Sequence, residues 1–350
     1  AEDIGKLPDS SIAESLARLP GLSGERVGGR TSGISVRGFK EDFTGTSLNG
    51  RELIGIGDNR GVEYDLYPAE IMTGATIYKT SDASLIVQGI GGTVDLQTVR
   101  PLAAQETLTV TGVYELGGND SDNPEFDNSG NRFALSFVEK FADDTVGLAL
   151  AIASTESPRN ERKYGVWGYG ENDEGQVLPF GLDSQAISRV LERDTVSAIL
   201  QWRPTDRLDI VFDALDIDYS DSGVIRGFIE PFAAANVTGS GVNSSGTQIN
   251  ANPVLRTDPA QKDGELQTFG LNIKYDISDD WTVMLDVADS ESSKRDLRGE
   301  SYAGLARSGA LSEEQLGSRQ FQMSADGIFF TDSSGLDAFS DPALLQLAGP

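Results

Sequence analysis

The stretch "FKEDFTG", residues 39–45, places Phe39, Glu41, Asp42 and Phe43 within five positions. Planar carboxylate acceptors beside an aromatic face suit a sugar, whose hydroxyls need acceptors and whose ring needs a flat apolar surface. The same residues also describe a hairpin tip whose phenylalanines pack on a core. "WGYGENDEG", residues 167–175, again mixes aromatics and acids, fit for a sugar or a divalent ion, and reads more simply as a solvated loop. "DIDYSDSG" from Asp216 has the alternating acids of a calcium loop but lacks glycine at the sixth place and glutamate at the twelfth. "GIGGTVDLQTVRP", residues 89–101, suggests a phosphate cradle. A dinucleotide fingerprint, however, needs its glycines after a strand and at the start of a helix. Here a branched, alternating segment follows the glycines, and no Gly-Lys-Ser/Thr follows, so they turn the chain into a strand.

The composition removes most other chemistry. The 350 residues contain no histidine and no cysteine, which excludes Ser-His-Asp and Cys-His nucleophile pairs and the usual zinc ligands. Carboxylate-only hydrolysis stays open, yet no paired acids fall in a credible cleft. No metal and no cofactor is expected. Fifty-five acidic against 28 basic residues give a formal charge of −27, which opposes nucleic-acid binding. No segment approaches the roughly 18 apolar residues of a membrane helix, and no signal peptide is present. A β-barrel remains possible, because it hides its lipid-facing residues in every second position.

The elements that must position these residues fall into two regions. Up to residue 104 the pattern is a small α+β domain. Ser11 and Glu14 form a capping box, Ile12, Leu16 and Leu19 share a helical face, and Pro20-Gly21 stops the helix. Strands are expected over 33–37, 47–49, 75–79 and 93–99, with a short helix from Pro68. From about residue 105 to 350 long alternating segments take over. Phe269, Leu271, Ile273 and Tyr275 share one face, as do Trp281, Val283, Leu285 and Val287. Phe133, Leu135 and Phe137 form another set, with Val146, Leu148, Leu150 and Ile152, and Val196, Ala198, Leu200 and Trp202. About seven strands result. "FADDT", "RPTDR" and "DISDD" are short turns, whereas 117–130, 158–192 and 220–264 are expected as long polar excursions. That asymmetry belongs to outer-membrane barrels. Tyr114, Phe141, Trp202, Tyr219, Tyr275 and Trp281 lie where interfacial girdles would place them. Asp209, Asp213, Asp216 and Asp218 are expected to line the polar lumen. The rival is a soluble all-β sandwich, which would not segregate its loop lengths in this way.

"LPDSSIAESLARLPGLS", "ISVRGF", "LNGREL", "YPAEIMTGATIYKT" and "GIGGTVDLQTVRP" occur in this order and spacing. Over nearly all of residues 3–102 the chain resembles the plug domain of TonB-dependent outer-membrane receptors. The resemblance implies an α+β plug followed by the start of a large antiparallel transmembrane β-barrel, about 22 strands in the complete protein, with about seven here. It implies no enzyme but TonB-driven import of a scarce nutrient across the outer membrane. "IGKLPD", "AESLARLPG" and "IYKTSDASLIVQGIGGTV" are similar to a proteobacterial receptor subgroup in which some members take up oligosaccharides. A ferric siderophore is the alternative cargo, and a plugged-barrel surface protein without transport is the alternative class.

The resemblance also assigns residues. Arg37 in "VRGF" matches the plug arginine that pairs with barrel glutamates, and Lys79 falls where many members have arginine; both are expected at the plug–barrel boundary. The ligand-facing loops correspond to residues 25–31, 39–44 and 56–63. Within them Arg30, Glu41, Asp42, Phe43, Asp58, Asn59 and Arg60 are the expected ligand contacts. The implied partners are TonB, reached through an N-terminal segment not seen in "AEDIGKLP", an extracellular ligand, and outer-membrane lipid with lipopolysaccharide.

Overall fold

The computed structural model describes residues 12–27, 30–67, 72–304, 316–331 and 345–348. Helix α1, Ile12–Leu16, carries the expected apolar face: Ile12 and Leu16 are fully buried, and Leu19 packs beside them. Burying each such side chain contributes about 1.5–3 kcal/mol, which fixes a helix too short to stand alone. Two strands follow as an antiparallel hairpin, β1 (Leu22–Val27) and β2 (Arg30–Val36). β1 was not expected, since "LSGERV" carries no period-2 signal.

A second sheet is ordered β4–β3–β6–β5. Its strands are β3 (Thr44–Leu48), β4 (Arg51–Glu52), β5 (Met72–Tyr78) and β6 (Gly92–Thr98), with β3 and β6 parallel. The 89–92 glycines work by close approach. A Cβ on Gly89 would stand 2.2 Å from the backbone nitrogen of Gly45 and 2.5 Å from the carbonyl oxygen of Phe43. No other residue lets the chain enter β6 so near the start of β3. The helix expected from Pro68 lies outside the described residues.

The wall then runs strand by strand. It consists of β7 (Thr107–Leu116), β8 (Ser129–Phe141), β9 (Val146–Glu171), β10 (Val177–Thr205) and β11 (Leu208–Pro231). After an inserted pair, β12 (Ala233–Thr238) and β13 (Ser245–Ala251), it continues with β14 (Val254–Ser278) and β15 (Trp281–Arg298). Each of the seven wall strands pairs antiparallel with the next. The short turns fall where expected, the first with Ala142, Asp143 and Asp144 all at positive φ. The chain is thus an α+β plug followed by the opening strands of a large antiparallel barrel that is not closed within it.

Two of the expected polar excursions are strands. β9 and β10 span 26 and 29 residues, and β11 and β14 span 24 and 25. At about 3.3 Å per residue β10 reaches roughly 95 Å, whereas about 9–11 tilted residues cross a bilayer. Segments 158–192 and 220–264 therefore continue the wall outward as paired ribbons. A further small sheet, ordered β12–β13–β17–β18, packs beside them with β17 (Gly317–Ser324) and β18 (Gly327–Phe330). Two three-residue strands, β16 (Tyr302–Gly304) and β19 (Gln346–Ala348), extend the wall edge.

Alternation sorts the wall into two faces. Outward lie Leu150, Ile152, Val196, Leu200, Trp202, Phe212, Phe269, Val283, Leu285 and Val287, all well exposed. On five strands the apolar belt is four side chains tall, then gives way to Ser154, Asp194, Asp216, Gln267 and Asp289. Such a belt matches a lipid-facing band of about 25 Å. Phe141, Trp202, Tyr275 and Trp281 sit at its short-turn end. Inward, Val211, Leu215, Ile217 and Leu266 are buried, the last three against the plug core. Three assignments change with this parity. Tyr219 faces the plug rather than the girdle, because β11 is covered on both sides and carries apolar residues on both. Asp216 and Asp218 share the parity of Phe212, so they leave the lumen to Asp209 and Asp213.

Candidate functional site

The expected ligand loops meet. Glu41, Asp42 and Phe43 form a 3-10 turn just before β3. Asn59 Nδ2 donates to Glu41 Oε1 at 3.1 Å, and the Arg60 backbone N–H donates to Asp42 at 3.0 Å. Asn59 Oδ1 in turn accepts the Gly61 N–H at 3.1 Å, which rounds off the 56–63 loop. Asp42 is thereby committed to holding the loops together. Phe39 and Phe43 are half-exposed, their rings edge to face at 6.2 Å. Of the expected contacts, Arg30 has its side chain outside the described part.

Between these loops and the wall lies a cavity of about 500 Å³. Its plug side is acidic, with Glu25, Glu41, Asp58, Glu63 and Asp65; its wall side brings Arg159, Arg189, Lys262 and Arg298. Tyr219 forms part of the wall, with the Lys262 ammonium 5.9 Å from its ring centre. Arg189 donates to Asp221 at 3.0 Å, and Arg298 meets Asp296 at 3.1 Å, so both cations are balanced locally. Glu25 and Glu41 approach across Gly33, each Cβ 3.5 Å from where a Gly33 Cβ would stand. The hydrogen bond from Glu41, with burial and the Glu41 charge, pushes the Glu25 carboxyl up to about 7, while the Glu25 bond lowers Glu41. One proton shared by two carboxylates is the physical content. Burial raises Glu63, whose Oε2 accepts the Ile56 N–H at 3.1 Å. The site thus offers acceptors from below and donors from the side, around one aromatic ring.

Among the described residues, plug and wall are joined by side chains other than Arg37 and Lys79. Arg37 is exposed. It sits at φ 54° after β2, which aims its guanidinium at the carbonyls of Gly91 (2.8 Å) and Ile90 (3.3 Å). Among the described residues it meets no wall carboxylate. Lys79 donates to the Pro20 carbonyl at 2.6 Å and so ties the plug to itself. Arg51 of "LNGREL" takes the anchoring place. Its Nη1 donates to both oxygens of Asp213 (2.8 and 2.7 Å), and Nε and Nη2 donate to Asp286 (2.7 and 3.0 Å). A Cβ on Gly270 would stand 1.6 Å from Arg51 Nη1, so the guanidinium occupies the gap that this glycine leaves. Lys294 pairs with Asp58, the Arg193 guanidinium donates to the Asp65 carbonyl, and Gln201 accepts from the Leu102 N–H at 3.1 Å. The one legible hint for Arg51 was its place in a quoted motif; its partners lie 162 and 235 residues away.

An α+β plug held against an antiparallel wall with an apolar outer belt places the chain in the outer membrane. Residues 1–93 match the family model of the TonB-dependent Receptor Plug Domain. A search of the curated proteins finds no match. Among solved structures, the chain is similar to the unliganded ferric citrate transporter FecA, at 14% identity over 92% of this chain and 62% of that one, TM-score 0.40. It is also similar to a mutant of the ferric enterobactin receptor PfeA from Pseudomonas aeruginosa, at 9% identity over 91% and 60%, TM-score 0.40. A third is a double mutant of the Serratia marcescens hemophore receptor HasR, at 11% over 90% and 60%, TM-score 0.34. The chain therefore spans about three-fifths of the length of these structures.

Proposed function

We propose that this chain is the plug and first wall of a TonB-dependent importer, divided near residue 104, which carries a neutral oligosaccharide across the outer membrane. Ligand enters from outside and settles in the cavity between the 39–44 and 56–63 loops and the wall. TonB, engaging a segment upstream of the plug, then draws the plug aside, and no covalent bond is made or broken. Lipid and lipopolysaccharide surround the belt.

The observation that carries the sugar reading is the cavity's division of labour. Carboxylates on the plug side and cations on the wall side, with Asp221 and Asp296 beside the cations, suit hydroxyls that both donate and accept. The overall charge of −27 slows the encounter with a strongly anionic cargo. The second reading, an anionic iron chelate, draws on the same four wall cations.

Calorimetric titration of the complete receptor in detergent separates them. The account expects a neutral hexasaccharide, drawn from α-glucan, β-glucan and xylan, to bind, and Glu41→Gln to weaken it about tenfold, or about 1.4 kcal/mol. Binding of ferric citrate, with no binding of any neutral saccharide, would overturn it in favour of the second reading.

A further inference from the structure

The ribbon formed by β9 and β10 ends in "WGYGENDEG", whose side chains the cavity does not use. Pairing between the two strands keeps one register from Trp202 and Val146 at the membrane to Val177 and Glu171 at the tip. Odd-numbered side chains therefore stay on one face throughout. Near the membrane that face touches the plug, through Arg193 and its contact with Asp65. Higher up it carries Arg159 and Arg189 of the cavity. At the tip it carries Trp167 and Tyr169. On the even face Leu182 is fully buried with Val166 and Leu178 against Phe321, Met323 and Ile328 of the small sheet, and Phe180 lies over Gly168 and Gly170 at the tip.

Trp167 is paired with Gly181, and its six-membered ring lies where a Gly181 side chain would be, 1.9–2.5 Å from the missing Cβ. A ring laid on a glycine backbone is held flat and keeps its other side open; Trp167 is 40% exposed. Tyr169, 51% exposed, stands two residues further along the same face, opposite Pro179. Gly168 between them, at φ 61°, turns the backbone, and both rings stay open to solvent. Asp183, reaching over Gly165, lies on the same face just below. The platform stands about 25 Å above Arg189, counting eight residues of strand.

We infer that Trp167 and Tyr169 form an outer capture site for the pyranose rings of a neutral oligosaccharide, above the cavity and on the face that leads down to it. The occupant follows from the chemistry. Flat aromatic faces bind the apolar side of a sugar ring, and Asp183, paired with Lys163 at 3.0 Å, places an acceptor and a donor below them for its hydroxyls with no net charge to draw an ion. A strand face with no apolar depth offers a protein or lipid partner little to bury. The inference rests on the sugar reading above and deepens it.

A sugar-dependent fluorescence change that is lost in Trp167→Phe reports this outer site, the lip of the ribbon. The test titrates the complete receptor with the same three hexasaccharides. The control is Phe180→Ala, because Phe180 covers Gly168 and Gly170 on the opposite face. We expect the Trp167→Ala, Tyr169→Ala pair to weaken binding about tenfold or more, while Phe180→Ala binds as wild type. Equal losses in the Phe180 control would mean that the aromatics only stiffen the ribbon, and would overturn the lip. Sugar binding unchanged in the Ala pair would overturn the lip alone and leave the import reading intact. A receptor that binds ferric citrate and no saccharide would overturn both.

Discussion

Replacing Arg51 with methionine keeps most of its length and removes its charge. The side chain is 11% exposed, and it satisfies Asp213 (15% exposed) and Asp286 (28%) at once. Both carboxylates, on wall strands β11 and β15, would then lose the guanidinium they share, while Asn272 Nδ2 stays 2.6 Å from Asp286 and Arg100 lies near enough to act on it. Removing one partner of a largely buried ion pair costs about 3–5 kcal/mol. At about 1.4 kcal/mol per factor of ten, the undocking equilibrium of β3 and β4 should shift by roughly 10² to 4 × 10³. Hydrogen exchange of residues 44–52 in the intact receptor reads that shift directly, as an equal loss of protection. Adding Asp213→Asn and Asp286→Asn should restore most of it, because no uncompensated charge remains. Exchange in Arg51→Met equal to wild type would refute the anchor. So would a triple variant as open as the single one, since the charge argument would then have failed.

Gly89→Ala should destabilise the plug by about 1–3 kcal/mol through backbone crowding, whereas Gly118→Ala, which meets nothing within 4 Å, should melt as wild type. Glu25 holds its proton up to about 7 in the folded plug against an ordinary 4.5. The folded state therefore binds the proton that the unfolded chain has already lost, and plug stability falls as pH rises from about 4.5 to about 7. Melting at pH 5, 6 and 7 should show this slope, and Glu25→Gln should flatten it; a slope that survives the substitution speaks against the shared proton. These 350 residues hold no cysteine to compete with single ones placed among them. Nitroxides at 269, 271 and 273 should be reached by oxygen dissolved in lipid, and those at 268 and 272 should not.

The sequence was most legible where one face of a strand is apolar and the other is not. Phe269 to Tyr275 and Trp281 to Val287 alternate cleanly because lipid covers one side only. The signal failed in two physical situations. Above the belt, at 158–192, apolar side chains fall on both faces among polar ones, Leu182 against the small sheet and Leu191 on the other face, so no single hydrophobic period marks the strands although the backbone ladder continues. On β11 both faces are covered, Phe212 towards lipid and Leu215 and Ile217 towards the plug, which hid the inward turn of Tyr219. In the site, local contacts were legible: Glu41 and Asn59 belong to loops that linked motifs already placed together. Arg51 was not, because its partners are set by strand register far along the chain. Arg37 was assigned from its motif, and its backbone conformation directs it elsewhere.

The central claim is import through the cavity at the plug apex. Its most direct test is accumulation of a radiolabelled neutral hexasaccharide by cells carrying the complete receptor, with TonB present or deleted. The account predicts accumulation that requires TonB and falls about tenfold in Glu41→Gln at limiting sugar. Accumulation that persists without TonB, or accumulation of ferric citrate with no sugar entering, would contradict it.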